Sequence, residues 1–210
     1  MRTLAILPVK SFSRAKQRLK PGVEPHLRRQ LAEAMLGDVL DALVGSAVDE
    51  VIVVTAGRTV RRIAARRGVR VIQDRGEGHT AAAKLGIAAA LSAGADRALL
   101  VPGDCPALER AEIDELLARP AASPSVLIVP DRHGTGTNAL LLTPPGALEP
   151  SFGPDSCQRH AAHARAAEIE YDVVPVPSLA LDIDTPEDLV VLASVADHAA
   201  PHTQELLSRC

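Results

Sequence analysis

Aromatic residues are almost missing from this chain, which has no tryptophan, one tyrosine and two phenylalanines in 210 positions. A surface that stacks nucleobases on aromatic rings is therefore not expected. The formal charge of −3 points the same way, because nucleic-acid binders usually carry a basic excess. Cysteine is also scarce. Cys105, Cys157 and Cys210 are odd in number and show no CxxC spacing. This pattern suits reduced thiols better than a disulfide framework or a zinc site. No apolar run reaches the length of a membrane span, and residues 1–8 are too short for a secretory leader. A cytoplasmic protein without a membrane or nucleic-acid partner is the expectation.

What is present is aliphatic. Hydrophobic residues make up 47% of the chain, so a sizeable core must be built from Leu, Val, Ile and Ala. Strand and helix signals alternate. Strands are expected at residues 4–9, 51–55, 69–73 and 98–101, and helices at 25–44, 59–67, 80–92 and 110–118. The rhythm then changes. Apolar runs at 126–129 and 139–142 are followed by a helical stretch at 156–167 and a strand candidate at 169–176. The expected fold is α/β: a single Rossmann-like domain over residues 1–197, with a mostly parallel sheet, helices on both faces and a small antiparallel element. Residues 198–210 form a tail with no evident partner, free to fray or to support a homodimer.

The most informative stretch is Val101-Pro102-Gly103-Asp104-Cys105-Pro106. A buried strand stops at a Pro-Gly pair and presents one carboxylate, where open α/β sheets bind their ligands. A second acidic cluster, Asp182-Ile183-Asp184, follows another strand-like run and precedes a helix signalled by Thr185-Pro186-Glu187-Asp188. Asp104, Asp182 and Asp184 together suit one Mg²⁺, which is usually held by one or two carboxylates plus substrate phosphates. Taken singly, Asp104 and Asp184 read equally well as turn and helix caps. Cys105 reads as a small turn or core residue rather than a nucleophile.

Three further loops offer ligand chemistry. The first places Lys10, Arg14, Lys16, Arg18 and Lys20 directly after the first strand, a concentration of cations suited to phosphate. It lacks the GxxxxGK[ST] pattern of a Walker A loop, and a solvated basic turn is the plain alternative. The second, Gln73-Asp74-Arg75-Gly76-Glu77-Gly78-His79-Thr80, has glycines that permit close approach of a ligand. Asp74 or Glu77 suits a guanine edge, unless Asp74 and Thr80 serve only as turn and cap residues. His79 reads as a bystander. The third region pairs Gly134-Thr135-Gly136-Thr137-Asn138 with Phe152-Gly153-Pro154-Asp155-Ser156, the latter at a helix start that favours anions. A hairpin loop and an ordinary helix cap are the plain readings of each.

In order along the chain, LPVKSFSRAKQRL, VPGDCP, DRHGTGTNALLL, FGPDS and LDIDTPEDL resemble the guanylyltransferases of coenzyme F(420) biosynthesis, which act on phosphoenolpyruvate or 2-phospho-L-lactate. The resemblance covers residues 3 to about 195. It implies a GT-A-like nucleotidyltransferase sheet shared with the molybdenum-cofactor enzymes. The larger group has a Gly-Gly-rich first loop where this chain has Pro8-Val9-Lys10-Ser11, a departure typical of the deazaflavin branch. The resemblance further implies that GTP and a phosphorylated three-carbon acid give a guanylylated diphosphate and pyrophosphate. It carries over Asp104, Asp182 and Asp184 as metal-site acids. Thr137, Gly153 and Ser156 match acceptor-binding positions, and Lys10, Arg14 and Lys16 fall in the nucleotide-phosphate loop. We add Asp74, Glu77 and Gly78 to the nucleotide site, and we assign the catalytic roles to Asp104 and Lys16.

Phosphoenolpyruvate is the expected acceptor, and 2-phospho-L-lactate stays open, since the two differ only in a double bond and in geometry at one carbon. Two other classes remain. A sugar-nucleotide-dependent glycosyltransferase would use Asp182-Ile183-Asp184 as its metal motif and release no pyrophosphate. A non-catalytic nucleotide-binding module would not turn over.

Overall fold

The structure is a computed structural model that describes residues 1–12, 16, 19, 23–120, 122–194 and 199–209. Seven strands form one sheet: β1 (Thr3–Pro8), β2 (Glu50–Thr55), β3 (Arg70–Gln73), β4 (Arg97–Leu100), β5 (Ser125–Pro130), β6 (Thr137–Thr143) and β7 (Glu170–Val173). Their spatial order is β3-β2-β1-β4-β6-β5-β7. Neighbours pair in parallel, except that β6 runs antiparallel to both β4 and β5. The antiparallel element expected from the broken rhythm is thus one reversed strand inside the sheet.

The eight helices among the described residues are α1 (Pro25–Gly45), α2 (Arg58–Ala65), α3 (His79–Ser92), α4 (Arg110–Ala118), α5 (Ser156–Ala166), α6 (Pro177–Ala180), α7 (Pro186–Ala193) and α8 (Pro201–Leu207). The five inner strands are apolar at most positions because both faces of the sheet are covered there, whereas the edge strands β3 and β7 carry polar, partly exposed residues. Successive side chains alternate between the faces. Ala5, Leu7, Val51, Val53, Leu99 and Leu141 join Leu36, Leu40 and Leu43 of α1 and Ile113 of α4. Leu4, Ile6, Ile52, Val54, Leu100 and Leu140 face α3 and α5 instead. Alanine dominates α3 for a steric reason. At Gly86 an added Cβ would stand 2.2 Å from Ile6 Cγ2, so this helix lies against β1 too closely for larger residues there.

The tail expected to lack a partner instead contributes α8, which docks on α1. The buried Asp38 carboxylate of α1 accepts hydrogen bonds from the backbone N–H of His202 (2.8 Å) and Thr203 (3.0 Å) and from Thr203 Oγ1 (2.6 Å). These donors lie in the first turn of α8, where helix amides lack partners of their own. A third apolar cluster, with Leu31 and Met35 of α1, Leu181 and Ile183 before α7 and Leu192 within it, continues to Ala199 and Ala200 and ties this end of the chain to the body.

The chain order turns at β1. From β1 it passes to β2 and β3 on one side, then returns to β4 on the other. A crevice opens at the carboxyl ends of strands on either side of such a reversal.

Candidate active site

A cavity of about 390 Å³ occupies that crevice. Its walls are Pro8 to Phe12 after β1, Gly103 and Asp104 after β4, Ala32 and Met35 of α1, His79 at the start of α3, and Lys16 with Asp184. A second cleft, of about 340 Å³ between α1, α2 and α8, lies away from the strand ends and has no comparable convergence of acids.

Asp104 and the Asp182–Asp184 segment meet as the sequence implies. The backbone N–H of Ile183 donates to Asp104 O at 3.0 Å. Ile183 itself is fully buried beneath the segment. The segment's far end is fixed by Asp188, whose Oδ2 accepts from the N–H groups of Asp184 (2.8 Å) and Thr185 (2.7 Å) in a capping box at the start of α7. Arg132 Nη2 pairs with Asp188 Oδ1 at 2.5 Å, and the Arg132 N–H donates to Ala180 O. Asn138 donates from Nδ2 to Leu179 O (2.7 Å) and to Asp182 Oδ1 (3.3 Å). These contacts explain why a loop after β5 and a loop before α7 hold one another.

The acids surround a lysine. Lys16 Nζ donates to Asp104 Oδ2 at 2.6 Å and to Asp184 Oδ1 at 3.1 Å. Burial alone works against the charged ammonium, but the two carboxylates outweigh it and hold the Lys16 pKa above its ordinary value. Burial, reinforced by the nearby Asp104 charge, raises the Asp182 pKa in spite of the hydrogen bond from Asn138. Asp104 and Asp184 thus converge on one cation position, with Asp182 bound to Asn138 beside them. As placed, no three His, Cys, Asp or Glu side chains among the described residues form a compact metal cluster. An all-oxygen pair of carboxylates around one cation still suits Mg²⁺, which takes its remaining ligands from water and phosphate.

Cys105, next to the acids, is fully buried, and its Sγ contacts Leu179 O at 3.5 Å. Burial and the surrounding carboxylates push its thiol well above the usual range, which fits a core residue and not a nucleophile. His79, expected to be a bystander, stands on the cavity wall. Burial lowers its pKa although Asp104 pulls the other way.

Of the nucleotide-site candidates, Lys10 and Lys16 line the cavity, and Arg14 lies outside the described residues. Asp74, Glu77 and Gly78 do not line it; they sit between β3 and α3, immediately before His79. Asp74 Oδ1 accepts the Gly76 N–H at 3.0 Å in a local turn, and Glu77 is exposed.

The acceptor candidates come together. The N–H of Cys157 in α5 donates to Thr135 O (3.1 Å), and Thr137 Oγ1 lies 3.0 Å from His160 Nδ1. Gly153 has φ +119°, a conformation that favours glycine, and its carbonyl receives the Ser156 N–H at 3.2 Å. Two first-turn amides of α5 are therefore already engaged by protein carbonyls, which leaves less of the helix terminus for an anion than its sequence suggests. Phe152 connects this loop to the cavity. Its ring meets the His79 ring edge-on at 4.9 Å.

Sequence reasoning passed over Arg132, Asn138 and His160 as individual residues. Asn138 and Arg132 stood inside a quoted motif, but no spacing rule connects them to acids some fifty residues later.

The model of the family Guanylyl transferase CofC like matches residues 3–208. A phosphoenolpyruvate guanylyltransferase of Conexibacter woesei is 46% identical, over 100% of this chain and 96% of its own length. A 3-phospho-D-glycerate guanylyltransferase of Phenylobacterium zucineum is 42% identical over 90% of this chain and 88% of its own. A 2-phospho-L-lactate guanylyltransferase of Methanothermobacter thermautotrophicus is 33% identical over 98% and 92%. Among solved structures, a Methanothermobacter nucleotidyl transferase superposes with a TM-score of 0.65 at 19% identity, covering 100% of this chain and 99% of that one. The last likeness bears on the fold.

Proposed function

The chain belongs to the CofC-like guanylyltransferases, and from that membership we propose that it transfers GMP from GTP to phosphoenolpyruvate, as a step in coenzyme F(420) biosynthesis. The choice of acceptor rests on the Conexibacter relative at 46% identity. 2-Phospho-L-lactate and 3-phospho-D-glycerate are the competing acceptors, each used by name in a relative. Membership favours nucleotidyl transfer over the glycosyltransferase and non-catalytic alternatives.

The observation that carries the site is the meeting of Asp104 and Asp184 on one cation at the reversal of the sheet. In the proposed reaction a phosphate oxygen of the acceptor attacks the α-phosphorus of GTP. The bond from that phosphorus to the bridging oxygen breaks, and pyrophosphate leaves with the electron pair. The attacking phosphate is already ionised near neutral pH, so no strong base is required. The obstacle is repulsion between two polyanions. Lys10 and Lys16 supply positive charge at the strand ends, and Thr137, Gly153 and Ser156 hold the acceptor beside them. Mg²⁺, when bound by Asp104 and Asp184 with Asp182 nearby, would neutralise phosphate charge and fix the nucleotide for in-line attack. The Asp74–Gly78 loop, adjoining His79, is the proposed neighbour of the base.

Pyrophosphate release tests the whole reading, measured with GTP, ATP, CTP and UTP against each of the three acids, with products identified by mass. GTP with phosphoenolpyruvate should give the highest kcat/KM. Equal rates with ATP would remove the guanylyl assignment, and a preference for another acid would replace the acceptor.

A further inference from the structure

His160, in the second turn of α5, is fully buried, yet nothing in the chemistry above uses it. Its two ring nitrogens have different partners. Nε2 lies 2.9 Å from the backbone nitrogen of Ser151, a group that can only donate, so Nε2 is the unprotonated acceptor. The proton of the neutral ring is then on Nδ1, 3.0 Å from Thr137 Oγ1. Thr137 Oγ1 accepts that proton's hydrogen bond, and the hydroxyl hydrogen of Thr137 must point away from the ring.

The ring cannot easily turn. Phe152 closes it edge-on at 5.5 Å and 74°, and Phe152 in turn abuts His79 on the cavity wall. Thr137 begins the strand whose next residue, Asn138, binds the Asp182 carboxylate. Thr137 is thus the sequence neighbour of a residue that binds the acid cluster, while its own side chain meets α5.

We propose that His160 is a positioning residue for the acceptor: by donating from Nδ1 to Thr137 Oγ1, it fixes the Thr137 hydroxyl as an outward hydrogen-bond donor to an anionic oxygen of the phosphorylated acid. The proposal rests on the assignment of Thr137 to the acceptor made above. Burial, with Arg159 and His163 nearby, lowers the His160 pKa to about 4, so the required neutral ring persists at neutral pH. A mobile hydroxyl would reach the same oxygen in only one of several rotamers, whereas a fixed donor meets it without that ordering cost.

Paired substitutions test this. His160→Asn keeps a carboxamide donor near the Nδ1 position, and His160→Gln keeps a group near Nε2 but loses the donor to Thr137. Both remove the buried ring, so comparing them cancels the general cost to folding, which melting curves check. Steady-state kinetics should show the acceptor KM of His160→Gln rising about tenfold or more, with GTP KM within about twofold, as expected when the unfixed Thr137 hydroxyl turns from the anion and that charged hydrogen bond is lost. His160→Asn should stay within about threefold of the parent, and Thr137→Val/His160→Gln should be no worse than Thr137→Val alone. Equal acceptor KM rises in the Asn and Gln variants, parallel rises in both KM values, or an additive double variant would overturn the proposal. If Thr137→Val leaves the acceptor KM unchanged, the assignment of Thr137 itself is wrong and the proposal goes with it. If Thr137→Val raises it and His160→Gln does not, only the role of His160 is wrong.

Discussion

The ammonium of Lys16 stands 2.6 Å from Asp104 Oδ2, close enough for a charge-assisted hydrogen bond, and the same nitrogen reaches Asp184. One cation thus joins the end of β4 to the segment before α7. Asp104 and Asp184 are the residues that would hold a divalent ion, and Lys16 beside them is the group that would meet phosphate. Asp104→Asn should keep the fold, since the Asp104 side chain is partly exposed and Lys16 keeps Asp184 as its partner. It should lower kcat at least a hundredfold at ordinary Mg²⁺, because a ligand that neutralises transition-state charge contributes several kcal/mol. Circular dichroism and pyrophosphate release on the same sample check both halves. Near-normal turnover would remove the metal assignment.

Ser156→Ala should affect the acceptor more than the nucleotide. Ser156 is buried at the start of α5, in the loop that Phe152 connects to the cavity. A hydroxyl bonded to a charged ligand contributes roughly 1.5–3 kcal/mol, so the acceptor KM should rise by about one to two orders of magnitude. A residue that serves only its own loop would instead lower the melting temperature and raise both KM values together. Varying each substrate in turn, beside a melting curve, distinguishes the two. A selective rise in GTP KM would place this loop against the nucleotide.

Acid should weaken the fold through His160. Its folded pKa of about 4 is below the ordinary histidine value of 6.5, so between those values the unfolded chain binds more protons than the native one. Stability from this group is fully present above about pH 6.5 and is lost as pH falls toward 4. His79, lowered by burial, acts in the same direction. Urea unfolding at several pH values should show the decline beginning near pH 6.5. In His160→Gln the slope over this window should be smaller than in the parent. An unchanged slope would mean that His160 titrates normally in the folded protein.

The fold was largely legible because burial on both faces of a sheet writes near-continuous apolar runs, and glycines marked several helix ends. Helix α4 (Arg110–Ala118) matches its expected limits, and the strand before Asp104 is displaced by one residue. The acid at the end of that strand was legible for the same reason, since position after a buried strand is itself the signal. Contacts such as those of Lys16 with Asp184, and of Thr137 with His160, were not. They depend on how separate loops fold over one another, and no local periodicity records that. The strand order was also hidden. That β6 runs against β4 follows from a register of Ala98 with Leu142 that alternation alone leaves open.

The docking of α8 was the clearest departure from expectation, and it gives a prediction separable from catalysis. Asp38 is buried on α1 and receives three hydrogen bonds from His202 and Thr203. Burial still raises its pKa, so part of what the bonds contribute is offset by the cost of removing a carboxylate from water. Asp38→Ala leaves two backbone donors and a buried hydroxyl unpaired. The expected loss is about 1–3 kcal/mol, a fall in melting temperature of roughly 3–10 °C for a chain of this size. Asp38 is on α1 but does not line the cavity at the strand ends, so both KM values should stay within about twofold at 25 °C, a change under 0.5 kcal/mol. Proteolysis should cut first within α8 in the variant, since an undocked terminal helix frays. An unchanged melting temperature would mean that α8 does not dock through Asp38.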